Sequence, residues 1–258
     1  MRLTQAIVRL PGSNFAAGLA SAIGGGAPDV DVALIQHERY CSELRNCGLQ
    51  LTSLPADLSH PDSTFIEDTA ILTARAAIIT RPGAPSRLAE AVATRDSLSK
   101  FFDVIHEIKE PGTLDGGDIC EVDDDFIIGL SARTNEQGAR QLTAFLHDLG
   151  HKSIVVDIRG STTLLHLKTG LSYLDDGLCI VAPDAPFVKA LKRYELITVS
   201  KAEAYAANCI RVNEYILVAA GYPELLEALA ARDLQVKVLQ MSEFRKMDGG
   251  LSCLSLRF

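Results

Sequence analysis

Two clusters of acids interrupt an otherwise apolar chain. Pro61-Asp62-Ser63-Thr64-Phe65-Ile66-Glu67-Asp68 sets three carboxylates around a short apolar segment, and Asp115 with Asp118 does the same further on. On an extended strand Asp62, Ile66, Asp68 and Ala70 share one parity, which puts Asp62 and Asp68 on one face, with Glu67 opposite or lifted by the turn. A carboxylate at the end of a buried strand is costly unless a cation meets it, and too few basic residues stand in the same turns to do so. A guanidinium from outside the chain would serve, because it is planar, permanently charged and offers donors in a fork that suits paired carboxylates. The same spacing also suits a solvated turn, and the acids alone do not separate the two readings.

A base and a nucleophile can be named on similar grounds. His166 lies in Leu164-Leu165-His166-Leu167 and reads as part of an apolar strand, where a histidine is either an acid/base group or a hydrogen-bonded core residue. His37 and His106 lie in helical or strand-edge settings, and His60, His147 and His151 read as exposed. Cys253 ends Asp248-Gly249-Gly250-Leu251-Ser252-Cys253, in which two glycines allow a backbone to approach a ligand closely. A nucleophilic thiolate needs partly exposed, electropositive surroundings, which a bound cation would supply. The chain has six cysteines, Cys41, Cys47, Cys120, Cys179, Cys209 and Cys253, with no C-x-x-C pair. That pattern disfavours a disulfide framework or structural zinc and suits reduced core thiols. Spacing does not single out Cys253 among them.

The elements that must position these residues recur. A polar turn followed by two short apolar strands is seen in EDTAILTARAAIITRPG from Glu67 and DGGDICEVDDDFIIGLSARTN from Asp115. It returns in HLKTGLSYLDDGLCIVAP from His166 and AANCIRVNEYILVAAGYP from Ala206. A last half-copy, DGGLSCLSLRF, takes TQAIVRLP near the N-terminus as its partner strand. The copies return roughly every 40–50 residues, a period typical of repeat architectures. Amphipathic helices are expected over Ser86–Phe102, with Leu88, Val92 and Leu98 inward, and over Asn135–Leu149, with Ala139, Leu142, Phe145 and Leu146 inward. Asn135 caps the second and Gly150 ends it. A third, Pro223–Arg232, starts on a proline, which the first helical turn tolerates. Gly24-Gly25-Gly26 reads as a mobile loop. The sum is an α/β chain of five ββαβ units, closed as a ring, with an ordinary mixed sheet as the alternative.

With 47% hydrophobic and 22% charged residues in 258, the chain has the composition of a soluble globular protein. A net charge of -8 without any Lys/Arg run excludes nucleic acid as a partner. No apolar stretch approaches the roughly 18 residues of a membrane span. The N-terminal segment is not a signal peptide, which leads to a cytoplasmic expectation.

The strings PDSTFIEDTA, ITRPGAPSR, TLDGGDI, GLSARTNEQGA, LHLKTGL, AANCI and KMDGGLSCLS, in this order, resemble the dimethylarginine dimethylaminohydrolase family of guanidino-group-modifying enzymes, from about Ile7 to Phe258. The resemblance implies a five-bladed α/β propeller of pseudo-symmetric ββαβ repeats, a single catalytic domain over residues 1–258. It implies hydrolysis of Nω-methylated arginines to citrulline and a methylamine, with no cofactor and no metal. By the same resemblance Cys253 is the nucleophile and His166 the acid/base residue. Asp62, Glu67 and Asp68 surround the guanidinium, Arg87 and Arg133 clamp the α-carboxylate, and the carbonyls of Leu19 and Met247 take the α-amino group. Asp115 stands where some relatives carry a glutamate paired with the histidine, so whether the shorter acid reaches His166 is open. The partner expected is a small cationic substrate, with neither nucleic acid nor membrane; a homodimer is the assembly considered. Two alternatives stand beside this: an arginine deiminase, usually a longer chain, and a silent binder of arginine derivatives.

Overall fold

The computed structural model describes residues 2–21 and 25–258, so Gly24 of the glycine run lies outside the described residues. Along the chain come β1 (Gln5–Arg9), α1 (Val30–Asn46), β2 (Gln50–Leu54), β3 (Ala70–Leu72), β4 (Ala77–Ile79), α2 (Glu90–Leu98) and β5 (Ile105–Glu107). Then follow β6 (Ile119–Val122), β7 (Asp125–Leu130), α3 (Glu136–Asp148), β8 (Ser153–Asp157), β9 (Leu171–Tyr173), β10 (Leu178–Val181) and β11 (Glu195–Thr198). The last stretch holds β12 (Ile210–Val212), β13 (Tyr215–Ala219), α4 (Pro223–Ala230), β14 (Gln235–Leu239), α5 (Ser242–Arg245) and β15 (Ser255–Arg257).

These strands form five three-stranded sheets. Each has a central strand paired antiparallel with one neighbour and parallel with the other, as β7 is with β6 and β8. A parallel pair needs a crossover, and α1, α2, α3 and α4 supply four of them; between β10 and β11 a single 3₁₀ turn, Val188–Leu191, does so. The fold is thus α/β, and its five small mixed sheets fit the five blades that the resemblance implies. As read from the sequence, the final strand pairs with the first: β15 runs antiparallel to β1, Val8 opposite Ser255.

The chain divides into two compact units. One, made of the chain up to Ile66 and of Asn208–Phe258, holds the sheets β15-β1-β2 and β12-β13-β14. Its core includes Phe15, Phe65 and Phe244, with ring centroids 5.5 to 6.3 Å apart. Tyr40 of α1 is fully buried there and its hydroxyl donates to the Leu251 carbonyl at 3.0 Å. The other unit, Glu67–Ala207, holds three sheets. Its central strand β7 is buried on both faces. Phe126, Ile128 and Leu130 join Ile71, Ile78, Leu142 and Leu146 in one cluster, while Ile127 joins Val122, Leu171 and Val181 in another. Period-two alternation sends neighbouring residues to opposite cores, so the strand reads as a continuous apolar run rather than an alternating one.

Helix α3 follows its expectation, with Asn135 Oδ1 accepting from the Gly138 N–H at 2.8 Å and Gly150 at φ +93° beyond its end. Helix α4 starts on Pro223 and stops at Ala230. The stretch Ser86–Phe102 is not one helix: a 3₁₀ turn, Pro85–Arg87, precedes α2. The inward face of α2 is Ala91, Thr94 and Leu98, while Leu88 and Val92 are 37% and 62% exposed. The longest helix, α1, is not among the three expected, because Val32, Leu34 and Ile35 on its outer side blur the apolar stripe.

Candidate active site

In the Glu67–Ala207 unit the site grows from His166. The residue is not inside a strand, as its apolar neighbours suggest; it stands at the N-cap of the 3₁₀ turn Leu167–Thr169 and its side chain is 12% exposed. Its Nε2 lies 3.1 Å from Asp115 Oδ2, so the aspartate reaches it directly. Asp115 is itself held through Oδ1, which accepts from the Gly83 N–H at 2.7 Å. Burial works to lower the His166 pKa, but the charges of Asp68 and Asp118 and the bond to Asp115 overcome it and raise it to about 9. The group is an imidazolium at neutral pH.

Asp68 is buried, and its Oδ2 accepts from Arg87 Nη1 at 2.6 Å while its Oδ1 accepts from the Gly117 N–H at 2.9 Å. Burial pushes this carboxyl up, but His166, Arg87 and the Gly117 donor hold it below the usual range. Arg87 is equally buried and also donates from Nε and Nη2 to Glu90. Where the sequence has this arginine waiting for a substrate carboxylate, the structure has already given it two protein carboxylates. Glu67 pairs with Lys168 Nζ at 2.7 Å. Arg133 is half-buried, and among the described residues its guanidinium has no acidic partner. Burial pushes Asp118 up to about 6, against the His166 charge and the hydroxyls of Ser131 and Thr134. When ionised, the acids Glu67, Asp68, Glu90, Asp115 and Asp118 outweigh Arg87, Lys168 and His166 by two charges. Donor atoms of Asp68, Asp115 and His166 lie within 4.8 Å of one another, a spacing a metal ion would also accept.

In the other unit Cys253 lies in the short 3₁₀ helix Ser252–Leu254. Its Sγ accepts from the Gly250 N–H at 3.4 Å. It is half-buried, whereas the other five cysteines are buried and reduced. Burial pushes Cys41, Cys120 and Cys179 up to about 12 and Cys47 to about 11, which leaves those thiols inert at neutral pH. Exposure thus selects the cysteine that spacing could not. The glycines before it admit protein rather than ligand. A Cβ at Gly249 would stand 2.2 Å from the Phe65 ring, and one at Gly250 2.5 Å from the Asn208 amide. Asn208 in turn grips the residue before Cys253, its Oδ1 accepting from the Ser252 N–H and its Nδ2 donating to Ser252 Oγ, both at 3.0 Å. Asp62 is buried and accepts from the Leu19 N–H at 2.9 Å. The Asp248 carboxylate, next to the buried Met247, accepts from the N–H and hydroxyl of Ser21. These contacts pin the segment around Leu19, whose side chain is 43% exposed.

The strand parity proposed for Asp62 and Asp68 does not hold. Turns precede a 3₁₀ helix at Ile66–Thr69, and extended backbone begins only at Ala70. Sequence reasoning also missed Glu90, Lys168, Asn208 and the hydroxyls of Ser131 and Thr134 as supporting groups. Most stand inside motifs already singled out, AANCI, LHLKTGL and SARTN. Glu90 carries no such signal.

A family model described as arginine deiminase matches residues 60–221. An N(G),N(G)-dimethylarginine dimethylaminohydrolase of Pseudomonas aeruginosa is 42% identical over 253 residues, 98% of each chain. A solved cysteine-to-serine variant of the Pseudomonas aeruginosa enzyme, complexed with citrulline, superposes with a TM-score of 0.95 at 41% identity, covering 100% of both chains. A dimethylarginine dimethylaminohydrolase with histidine replaced by glycine, solved as an adduct with S-methyl-L-thiocitrulline, also gives 0.95 at 41%, covering 99% of this chain and 100% of that one. With such identity along nearly its whole length, and under the arginine deiminase family model, the chain belongs to the dimethylarginine dimethylaminohydrolases.

Proposed function

We propose that the chain is a single catalytic domain that hydrolyses Nω-methylated arginine to citrulline and dimethylamine or methylamine in the cytoplasm. The observation that carries this reading is the 3.1 Å bond between His166 and Asp115 beside the buried carboxyls of Asp68 and Asp118, whose charges favour the protonated ring. Such an environment suits a small cation. Cys253 is the nucleophile, its thiolate supported by the Gly250 N–H and by the substrate's own charge. Its sulfur attacks the central guanidinium carbon to give a tetrahedral adduct. His166 already carries the proton that the departing amine needs, and expulsion of that amine leaves an S-alkylthiouronium on Cys253. The now neutral His166 takes a proton from water, hydroxide adds to the same carbon, and the C–S bond breaks to release citrulline.

Asp62, Glu67 and Asp68 hold the guanidinium, and the carbonyls of Leu19 and Met247 take the α-amino group. Arg133, with no acidic partner among the described residues, is the principal clamp on the α-carboxylate. Arg87 is a clamp locked in advance by Asp68 and Glu90. Among the described residues no helix is long and apolar enough to cross a membrane.

The test is to incubate the purified chain, without added metal, with asymmetric dimethylarginine and separately with arginine, and to quantify citrulline, dimethylamine and ammonia. Citrulline with equimolar dimethylamine, and little from arginine, is expected. Ammonia from arginine would instead support the deiminase reading that the matched family description suggests.

A further inference from the structure

We propose that Asp118 is a positioning residue that sets the acid/base group and the carboxylate clamp from one buried carboxylate, an inference that rests on the roles proposed above for His166 and Arg133. Asp118 is fully buried and has three donors on its two oxygens. Oδ1 accepts from the Leu167 N–H at 3.0 Å, and Oδ2 accepts from Ser131 Oγ at 2.6 Å and Thr134 Oγ1 at 2.7 Å. Each donor leads to a different functional residue. Leu167 follows His166 directly. Ser131 Oγ accepts from the Arg133 N–H at 2.9 Å and the Thr134 N–H at 3.1 Å. Thr134 Oγ1 accepts from the Asp115 N–H at 3.1 Å, and Asp115 is the partner of His166.

Hydrogen-bond valence makes the arrangement specific for a carboxylate. A serine hydroxyl has two lone pairs and one hydrogen. Both lone pairs of Ser131 are taken by backbone N–H groups, so its hydrogen must go outward, and Asp118 Oδ2 receives it. An amide in place of the carboxylate could keep one oxygen on Leu167 only by turning its NH₂ toward two hydroxyls that are themselves donating. The fold leaves no slack for avoiding this. A Cβ on Gly129 would stand 3.0 Å from Leu167 Cβ and 3.5 Å from Asp118 Oδ1, so bare backbone at Gly129 lets the His166 turn close on the carboxylate.

The arms can be cut one at a time. Ser131→Ala severs the path to Arg133 and is expected to raise KM for asymmetric dimethylarginine by about tenfold with kcat within about twofold. Thr134→Val severs the path to Asp115 and is expected to lower kcat by about tenfold with KM within about twofold. Asp118→Asn should change both, each by at least about tenfold. A second readout needs no turnover: the ¹⁵N resonances of the His166 ring, followed against pH, should titrate lower than in wild type in both hydroxyl variants, each of which removes a donor from Asp118 Oδ2, and lowest in Thr134→Val, which also releases the Asp115 N–H. The inference is overturned if Asp118→Asn, with wild-type circular dichroism, keeps both kinetic constants. It is also overturned if the two hydroxyl variants move the same constant, or if both leave the titration alone. A wild-type chain that releases no citrulline would sink the proposed function instead, and the titration would then decide this inference by itself.

Discussion

An imidazole ringed by carboxylates keeps its proton well past neutrality, and this shapes both catalysis and stability. Because His166 is raised from 6.5 to about 9, kcat should be level through neutral pH and fall as pH rises through about 9, where the proton for the leaving amine is lost. The same shift means that His166 stabilises the fold fully below 6.5 and ceases to do so as pH passes about 9. This amounts to roughly 3 kcal/mol, read as the difference between wild type and His166→Gln in urea unfolding at about pH 6 and pH 9.5. Equal pH dependence in the two proteins would contradict the carboxylate cage. The two arginines should separate as well. Arg133→Ala should raise KM by about 10–100-fold with kcat nearly kept, since it removes a charge-assisted bond made alike in ground and transition states. Arg87→Ala should lower kcat and unfold at lower denaturant, because it strands Asp68 and Glu90 in the interior without their partner. At this scale the sequence was most legible through the resemblance carried by strings such as DGGLSC and LHLKTGL, since residue types and spacing alone left Cys253 and His166 undecided. It was least legible where a role depends on what a side chain touches: Arg87 and Arg133 look alike on the page, and only burial tells the paired one from the other.

At the element scale the turns matter more than the strands. His166, Asp115 and Cys253 all stand at or in 3₁₀ turns, and Glu67 and Asp68 lie in another. Apolar alternation cannot reveal such turns, which is why His166 and the Asp62–Asp68 pair were read as strand residues. Caps are read more easily, because one side chain does the work locally. Asn135 Oδ1 accepts from Gly138 and Thr113 N–H groups, and its Nδ2 donates to the Pro111 carbonyl. Asn135→Ala should therefore cost at least the usual cap value of about 1 kcal/mol in chemical unfolding, while Asn135→Asp should recover most of it. Identical losses in both would show that the amide donor outweighs the cap. Helix α1 marks the limit of this kind of reading: its buried residues Ala33, Gln36, His37, Tyr40, Cys41 and Leu44 include two polar side chains, Gln36 and His37, which a hydropathy pattern places outside.

Over the whole molecule, repetition is what made the architecture readable. Four sheets repeat the same order of turn, strand, turn and strand along the chain, and the fifth joins the last strand to the first, so weak signals reinforce one another. The exception, the blade with only a 3₁₀ crossover, leaves no helical period to find. Strand β7 faces two cores, so Ile127→Ala should cost about 2–5 kcal/mol and speed amide exchange in β9 and β10 as well as in its own sheet. Exchange confined to β6–β8 would mean the blades are energetically separate. The distribution of thiols has one more consequence. With five cysteines sealed and one half-open, the folded chain should behave toward a water-soluble alkylating reagent as though it had a single sulfhydryl, and the unfolded chain as though it had six. Counting modified sulfurs by mass would then report, chain by chain, whether a molecule is closed, locally open or fully unravelled, and the first modification would mark in the same spectrum the moment at which activity disappears.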